Sequence, residues 1–372
     1  MAQNRLGSNF HQVSRDARVH HTDRSAMADQ EYSRPRPRRR REGITIQDVA
    51  NVAGVSIGTV SRVLNDRNWV SPATREKVME AVRKTGFTAN ARARALVMQR
   101  TNSVALVLGA APTALFEDPN YALILQEASR ALAAANRSLA FLTAADDAER
   151  DRVASFIRAG HVDGVLFVSP AESGHDSLLD LLESRALPVV VCGNPFAEPR
   201  RIALIHTDDA PGCEALGRHF RDQGYQRTAV IVAYPGTLGP RQRVEAFTRG
   251  LGRDLVHCEP TARYSQEEGY AAMASLLDAE HEIDSVFATS DLLAAGAIEA
   301  VRARGLEVPD DIAIAGFDDS AIATRTTPAL TTVHQPVAAV AQAMVREVLQ
   351  AIDGTEATTR MLPTELIVRE SA

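Results

Sequence analysis

The sequence lacks any run of about 18 uncharged apolar residues, which excludes a transmembrane helix. Its N-terminus, MAQNRLGSNFHQVSRDARVHHTDRS, has no apolar h-region, so it does not read as a secretory signal and the cytoplasm is the expected location. Cysteine is scarce. Cys192, Cys213 and Cys258 lie far apart with no CxxC, which excludes a metal or redox site by spacing and leaves reduced, structural thiols. The common catalytic fingerprints are missing as well: there is no P-loop, no HExxH and no GxGxxG at a first βα turn. Gly54-Val55-Ser56-Ile57-Gly58 fits the G-x-S-x-G pattern of a nucleophile elbow. That motif needs a strand before its serine, whereas the segment here reads as helical and is too small to hold a hydrolase sheet. No metal, cofactor or catalytic residue is implied, and an enzyme is not expected.

What remains is an ordinary soluble composition, 45% apolar and 24% charged, in 372 residues. That length suits two or three domains. The net charge of −6 conceals an asymmetry: residues 1–100 carry 19 Lys/Arg against 9 Asp/Glu, and residues 101–372 carry 22 against 38. A basic head on an acidic body points the head at a polyanion and argues against a protein that coats nucleic acid along its whole length.

Residues 1–43 have few apolar side chains, no periodicity and an RPRPRRRR ending, and read as a disordered tail. The arginines could add non-specific phosphate contacts. The alternatives are an inert tail, or a start at Met27. Residues 44–88 place apolar residues at helical spacing three times. Thr45 precedes a helix with Val49, Ala50 and Ala53 inward, and Gly54 suits a left-handed turn. Ser56 can cap a second helix facing in with Val60, Val63 and Leu64. Ser71-Pro72 opens a third, with Val78, Ala81 and Val82 inward. Two short helices around a glycine turn, with a supporting third, form a helix-turn-helix head. Residues 90–100, NARARALVMQR, make a basic helix too short to stand alone, which should fold only against DNA or a second copy.

From Thr101 the pattern alternates strands such as VALVLG, DGVLFVS, TAVIVAY and IAIAGFDD with helices of about 10–15 residues. Two successive sets predict two doubly wound parallel-sheet lobes, with ligand in a cleft outside the strand C-ends. The expected architecture is thus an all-α head on an α/β core.

The stretch TIQDVANVAGVSIGTVSRVLN, followed by VSPATREKVMEAVRKTGFTANARARAL, closely resembles the N-terminal signature of LacI/GalR-family transcriptional regulators, without a gap from Thr45 to Leu96. VDGVLFVSP, SDLLAAGAIEAVRARGLEVPDDIAIAGFDD and TTPALTTVHQP resemble the family's body. After the tail at 1–43, the resemblance implies a DNA-binding domain at 44–89, a hinge at 90–100 and a periplasmic-binding-protein-like core at 101–372. Within the core, lobe 1 would take about 101–205 with 336–362, and lobe 2 about 206–335 with 363–372.

In such a head the second helix enters the major groove. Ile57, Gly58, Ser61 and Arg62 are its exposed residues, and Arg62 could read guanine in a bidentate contact. Asn65 is placed with them. Thr45, Ser56, Thr59, Ser71 and Thr74 can bond phosphates, although helix capping uses the same hydroxyls. The resemblance implies a hinge of Asn90, Arg92, Arg94 and Leu96, with Leu96 wedged in a minor-groove base step; otherwise Leu96 packs on the core. It also implies Asp318 and Arg243 as effector contacts holding hydroxyls from opposite sides, or else an interlobe ion pair between them. Ser290 and Asp291 would line or brace the cleft. Phe116 and Tyr121 could stack on a sugar ring or belong to the core, and Cys192 and His206 are weaker candidates. The expected partners are a near-palindromic DNA operator, a small effector such as a sugar, and a second copy, as homodimer or tetramer. The expected activity is repression under effector control. The alternative is a sugar-binding protein or cleft enzyme with an incidental head.

Overall fold

A computed structural model of the protein describes residues 44–64, 70–87, 100–168, 177–184, 187–193, 202–279 and 282–372. The tail and the hinge residues Asn90, Arg92, Arg94 and Leu96 lie outside these, as does Asn65. The chain divides near residue 88 into two compact units.

The first unit holds α1 (Ile46–Ala53), α2 (Ile57–Leu64) and α3 (Pro72–Thr85). Thr45 and Asp48 form a reciprocal capping box that starts α1. Gly54 ends it at φ 66°, where a side chain would be strained. Proline at the first position of α3 is preorganised for the helix behind its Ser71 cap. Val49, Ala50, Val60, Val63, Val78 and Ala81 are buried together, so each helix gives the core the face its spacing predicts.

The second unit contains two six-stranded sheets. Sheet 1 comprises β1 (Ser103–Leu108), β2 (Ser138–Thr143), β3 (Gly164–Val168), β4 (Val189–Cys192), β5 (Ala203–Asp208) and β11 (Arg360–Pro363), in the order β11-β5-β4-β3-β1-β2. Sheet 2 comprises β6 (Thr228–Ala233), β7 (His257–Thr261), β8 (Ser285–Ala288), β9 (Ala313–Asp318), β10 (Thr331–His334) and β12 (Glu365–Ile367), in the order β12-β10-β9-β8-β6-β7. All pairings are parallel except β10 with β12. The inner strands are buried over nearly their whole length because helices cover both faces.

The helices of this unit are α4 (Ala114–Glu117), α5 (Pro119–Ala134), α6 (Asp147–Arg158), α7 (Ser177–Glu183), α8 (Asp209–Asp222), α9 (Leu238–Leu251), α10 (Gln266–Asp278), α11 (Asp291–Ala303) and α12 (Val337–Ile352). Helices α8 and α9 approach so closely that a Cβ on Gly250 would stand 2.1 Å from the Glu214 carbonyl oxygen, which only glycine avoids. Beneath them Phe220 and Phe247 meet edge-to-face at 5.4 Å. The chain crosses between the sheets three times: from β5 into α8, from β10 into α12, whose Val340, Ala341, Met344 and Val348 pack on sheet 1, and from β11 to β12. Those crossings carry the residues described next.

Candidate functional site

In the head, the outer side of α2 presents Ile57 (43% exposed), Gly58 and Arg62, with Ser61 half-buried. The i, i+4 spacing aligns Gly58 with Arg62 and Ile57 with Ser61. A Cβ at Gly58 would meet nothing closer than the Ser56 hydroxyl at 3.7 Å, so this glycine leaves a gap on the outer side of α2 that the fold does not require. The hydroxyls serve as caps. Ser56 Oγ accepts from Thr59 N at 3.2 Å and lies 2.9 Å from Thr59 Oγ1. Ser71 Oγ accepts from Thr74 N at 3.3 Å and lies 2.9 Å from Thr74 Oγ1. Thr45 Oγ1 donates to Asp48 at 2.7 Å. A hydroxyl keeps spare acceptor capacity while capping, so the two roles are compatible. Ser56 sits between two helices, which removes the strand that a nucleophile elbow needs.

The second unit holds a cavity of about 200 Å³ at the C-terminal ends of strands from both sheets. From the sheet 1 side come Asp118, Asn120, Tyr121 and Ile124 at the start of α5, Val168, Cys192, Gly193 and His206. From the sheet 2 side come Pro240, Gln242, Arg243, Tyr264, Ser290 and Asp318. Thr207, Asp209, Gln335, Val337 and Val340 belong to the crossings. The layout follows the rule that ligands sit beyond the carboxyl ends of parallel strands.

A polar chain runs along this cavity through two of the crossings. Arg243 Nε donates to Asp209 at 2.7 Å, with the two side chains 14% and 11% exposed. Arg243 Nη1 donates to the Thr289 carbonyl at 3.1 Å, and the guanidinium lies 3.7 Å over the Phe317 ring. Thr207 Oγ1 donates to Asp209 at 2.6 Å and lies 3.1 Å from Gln335 Oε1. Gln335 Nε2 donates to Asp318 Oδ1 at 3.1 Å, and the Gln335 amide donates to the Asp318 carbonyl. Asp318 and Asp319 take φ of 118° and 54°, a region that L-residues rarely adopt. The turn is held from outside: Asp319 pairs with Arg369 at 2.5 Å and His334 at 3.0 Å. Asp291 Oδ2 accepts from the Ser320 amide at 2.7 Å.

Burial sets the electrostatics. It pushes the Asp118 carboxyl up to about 6 against the single backbone donor at Asn120. It raises Asp318 well above the ordinary carboxylate range, reinforced by Asp291 and Asp118 and opposed by Arg243. For Arg243 burial disfavours the charge, but Asp209, Tyr264 and Asp318 outweigh it and the guanidinium stays charged. Cys192 is pushed to about 12 by burial, which makes it an inert wall rather than a nucleophile. Among the described residues no cluster of His, Cys, Asp or Glu could hold a metal ion.

Of the expected effector residues, Tyr121, Arg243, Ser290 and Asp318 come together at the cavity, as do the weaker candidates Cys192 and His206. Phe116 does not: it is 86% exposed on the four-residue α4 and is not among the lining residues. Asp291 is off the cavity and fully buried, bonded to Ser320 and to Thr332 Oγ1 at 2.6 Å, so it braces the turn that carries Asp318. Arg243 and Asp318 do not face each other from opposite lobes. Both come from elements of sheet 2, and the partner of Arg243 is Asp209. Sequence reasoning passed over Asp118, Asp209, Tyr264 and Gln335. Asp209 and Gln335 follow strands β5 and β10 directly, a placement that could have found them. Asp118 before Pro119 carries only the signal of a helix start.

Residues 45–90 match bacterial regulatory proteins of the lacI family, and residues 218–372 match the periplasmic binding protein-like domain. The HTH-type transcriptional regulator CelR of Thermobifida fusca is 35% identical over 339 residues, 89% of this chain and 99% of that protein. The HTH-type transcriptional repressor PurR of Mannheimia succiniciproducens is 30% identical over 340 residues, 88% of this chain and 98% of that protein. Among solved structures, the transcriptional regulator CelR–cellobiose complex shares 33% identity and a TM-score of 0.68, covering 88% of this chain and all of that one. The lac repressor dimer bound to operator and an anti-inducer gives a TM-score of 0.76 at 23% identity, over 89% of this chain and 99% of that one, a likeness of fold.

Proposed function

Since the chain belongs to the lacI family of bacterial regulatory proteins and is a DNA-binding transcriptional regulator, we propose that it is a cytoplasmic repressor controlled by a sugar bound between its two sheets. The observation that carries the reading is the composition of the cavity. Carboxylates at Asp118 and Asp318 accept hydroxyls, Gln335 and Arg243 donate, and Tyr121 and Tyr264 offer ring faces. Relatives named as repressors, and a solved relative with cellobiose, support it. In this reading Ile57, Gly58, Ser61, Arg62 and Asn65 meet base edges, and Thr45, Ser56, Thr59, Ser71 and Thr74 set the register on phosphates. Asn90, Arg92, Arg94 and Leu96 form a hinge in the minor groove. One head buries about 600–1,000 Å² of protein surface, too little alone for tight specific binding, so two copies read a near-palindrome.

The test is a thermal-shift screen of the full chain over neutral monosaccharides and disaccharides, cellobiose included. A cleft ligand at 100 times its Kd stabilises by about 2.7 kcal/mol. At least one saccharide should raise the melting temperature in proportion to its concentration. If none does at millimolar levels, the sugar reading falls, while DNA binding by the head stands.

A further inference from the structure

We propose that the arginine run from Arg34 to Arg41 is a second DNA-contacting element, an arm that neutralises duplex phosphates beside the head without reading sequence. The inference rests on DNA binding by the head and adds a surface that the head does not contain. The family match begins at residue 45, so the run is not part of what this head shares with the family. It lies outside the described residues, and its charge and reach follow from the sequence. The head by itself is a weak polycation: residues 44–88 hold six Lys/Arg against four Asp/Glu. One of those cations, Lys84, is set against Glu80 of its own helix at 2.7 Å. Arg34, Arg36, Arg38, Arg39, Arg40 and Arg41 put six cations into eight residues with no acid among them. Duplex DNA carries about one negative charge per 1.7 Å of axis, and each phosphate neutralised by an arginine releases condensed counterions. By charge density the run, and not the head, holds the larger share of the electrostatic attraction.

The attachment point favours the same partner. The chain enters the head at Ile44 and Thr45, both exposed, and Thr45 caps α1. In the docking proposed above Thr45 sits on a phosphate. Arg41 stands four residues before it and Arg34 eleven. At 3.3–3.6 Å per residue those tethers span at most about 14 Å and about 40 Å. A head seated on a duplex therefore keeps all six arginines within reach of phosphates, at the effective concentration of a short tether. The competing polyanion is the chain's own body, where residues 101–372 carry 22 Lys/Arg against 38 Asp/Glu. Its acids are interspersed with cations and several are taken: Asp163 by Arg137, Asp209 by Arg243, Asp319 by Arg369 and Glu347 by Arg360. Duplex phosphates are held only by exchangeable counterions, so the run gains more there.

The experiment is titration of the full chain onto a random duplex, read by fluorescence anisotropy from about 50 to about 200 mM NaCl. Intact mass shows that the run is present, and equal melting temperatures exclude a folding defect. Wild type is compared with R34S/R36S/R38S/R39S/R40S/R41S and with the chain that carries lysine at the same six positions. Each phosphate contact adds about 0.9 to the slope of log affinity against log salt. The serine chain should lose at least about 2 from the wild-type slope, and at least about tenfold in affinity at the lowest salt. The lysine chain retains the charges and should retain most of both. A serine chain with the wild-type slope and affinity overturns the proposal. So does a serine chain that binds more tightly, which would put the run on the acidic body instead. A lysine chain that falls as far as the serine chain overturns the assignment to phosphates. In each of these cases DNA binding by the head stands; a wild type that binds no duplex overturns both.

Discussion

At the residue scale, the cleft shows which side chains announce themselves in a sequence and which do not. Asp318 does, because a carboxylate that ends the apolar run IAIAGF has only the strand's C-terminal mouth to point at. Arg243 was legible as a cavity residue but its partner was not, since Asp209 is 34 residues away and reaches it only once β5 and α9 are in place. Phe116 misled for the opposite reason: read beside Tyr121 as a ring-stacking or core aromatic, it instead points into solvent from the short helix α4. Asp118 was hidden behind its own capping role. Its chemistry has a consequence for pH. The folded chain holds that carboxyl near 6 by burial, against 3.8 ordinarily, so the native state binds a proton that the unfolded chain releases. The stability so gained is present below about pH 4 and is lost as pH rises through about 6. Asp118→Asn removes the titration, so its melting temperature relative to wild type should climb between pH 4 and pH 8. A difference that stays constant across that range, measured by differential scanning fluorimetry, would show that Asp118 is not desolvated.

At the element scale, long amphipathic segments were readable and short or edge pieces were not. The head's helices follow from i, i+3 and i, i+4 apolar spacing, and their caps were visible as Thr45, Ser56 and Ser71. The central strands follow from continuous apolar runs flanked by turns. Strands β11 and β12 have four and three residues, β11 largely exposed and β12 half-buried, too short for alternation to show; sheet pairing at a distance defines them. β12 also breaks the expected all-parallel pattern: β11 runs parallel to β5, and only Thr364 separates it from β12, which pairs antiparallel with β10 in the other sheet. Helix α2 is the element on which DNA reading is proposed. Arg62 lies on its exposed side, in line with a glycine that can contribute no side-chain contact of its own. Arg62→Ala should therefore weaken binding to a selected operator duplex by about 1–3 kcal/mol and binding to random duplex by little beyond one charge. Equal weakening on both, by fluorescence anisotropy at fixed salt, would make Arg62 a phosphate contact.

At the scale of the whole molecule, the sequence reading reached the fold class, the two-sheet body and the position of its cleft, because the order of strands and helices constrains them. It could not reach the hydrogen-bonded chain from Arg243 through Asp209, Thr207 and Gln335 to Asp318, since that chain exists only where two crossings lie side by side. In the proposed reading, the same chain is where occupancy of the cleft would act. A ligand that donates to Asp318 and accepts from Gln335 would act beside the segments joining the two sheets, and it could shift their arrangement only by its differential affinity for the two states. The central claim is that this cleft controls DNA binding, and one measurement tests it most directly: operator affinity with and without the saccharide found by the thermal screen, for wild type and Asp318→Asn. A hydrogen bond between a ligand hydroxyl and the Asp318 carboxyl contributes about 0.5–1.5 kcal/mol when that group is neutral and about 1.5–3 kcal/mol when it is charged. The account predicts that the saccharide changes wild-type operator affinity tenfold or more, while Asp318→Asn binds operator normally and no longer responds at the same saccharide concentration. An Asp318→Asn chain that retains the full saccharide-induced change would contradict it.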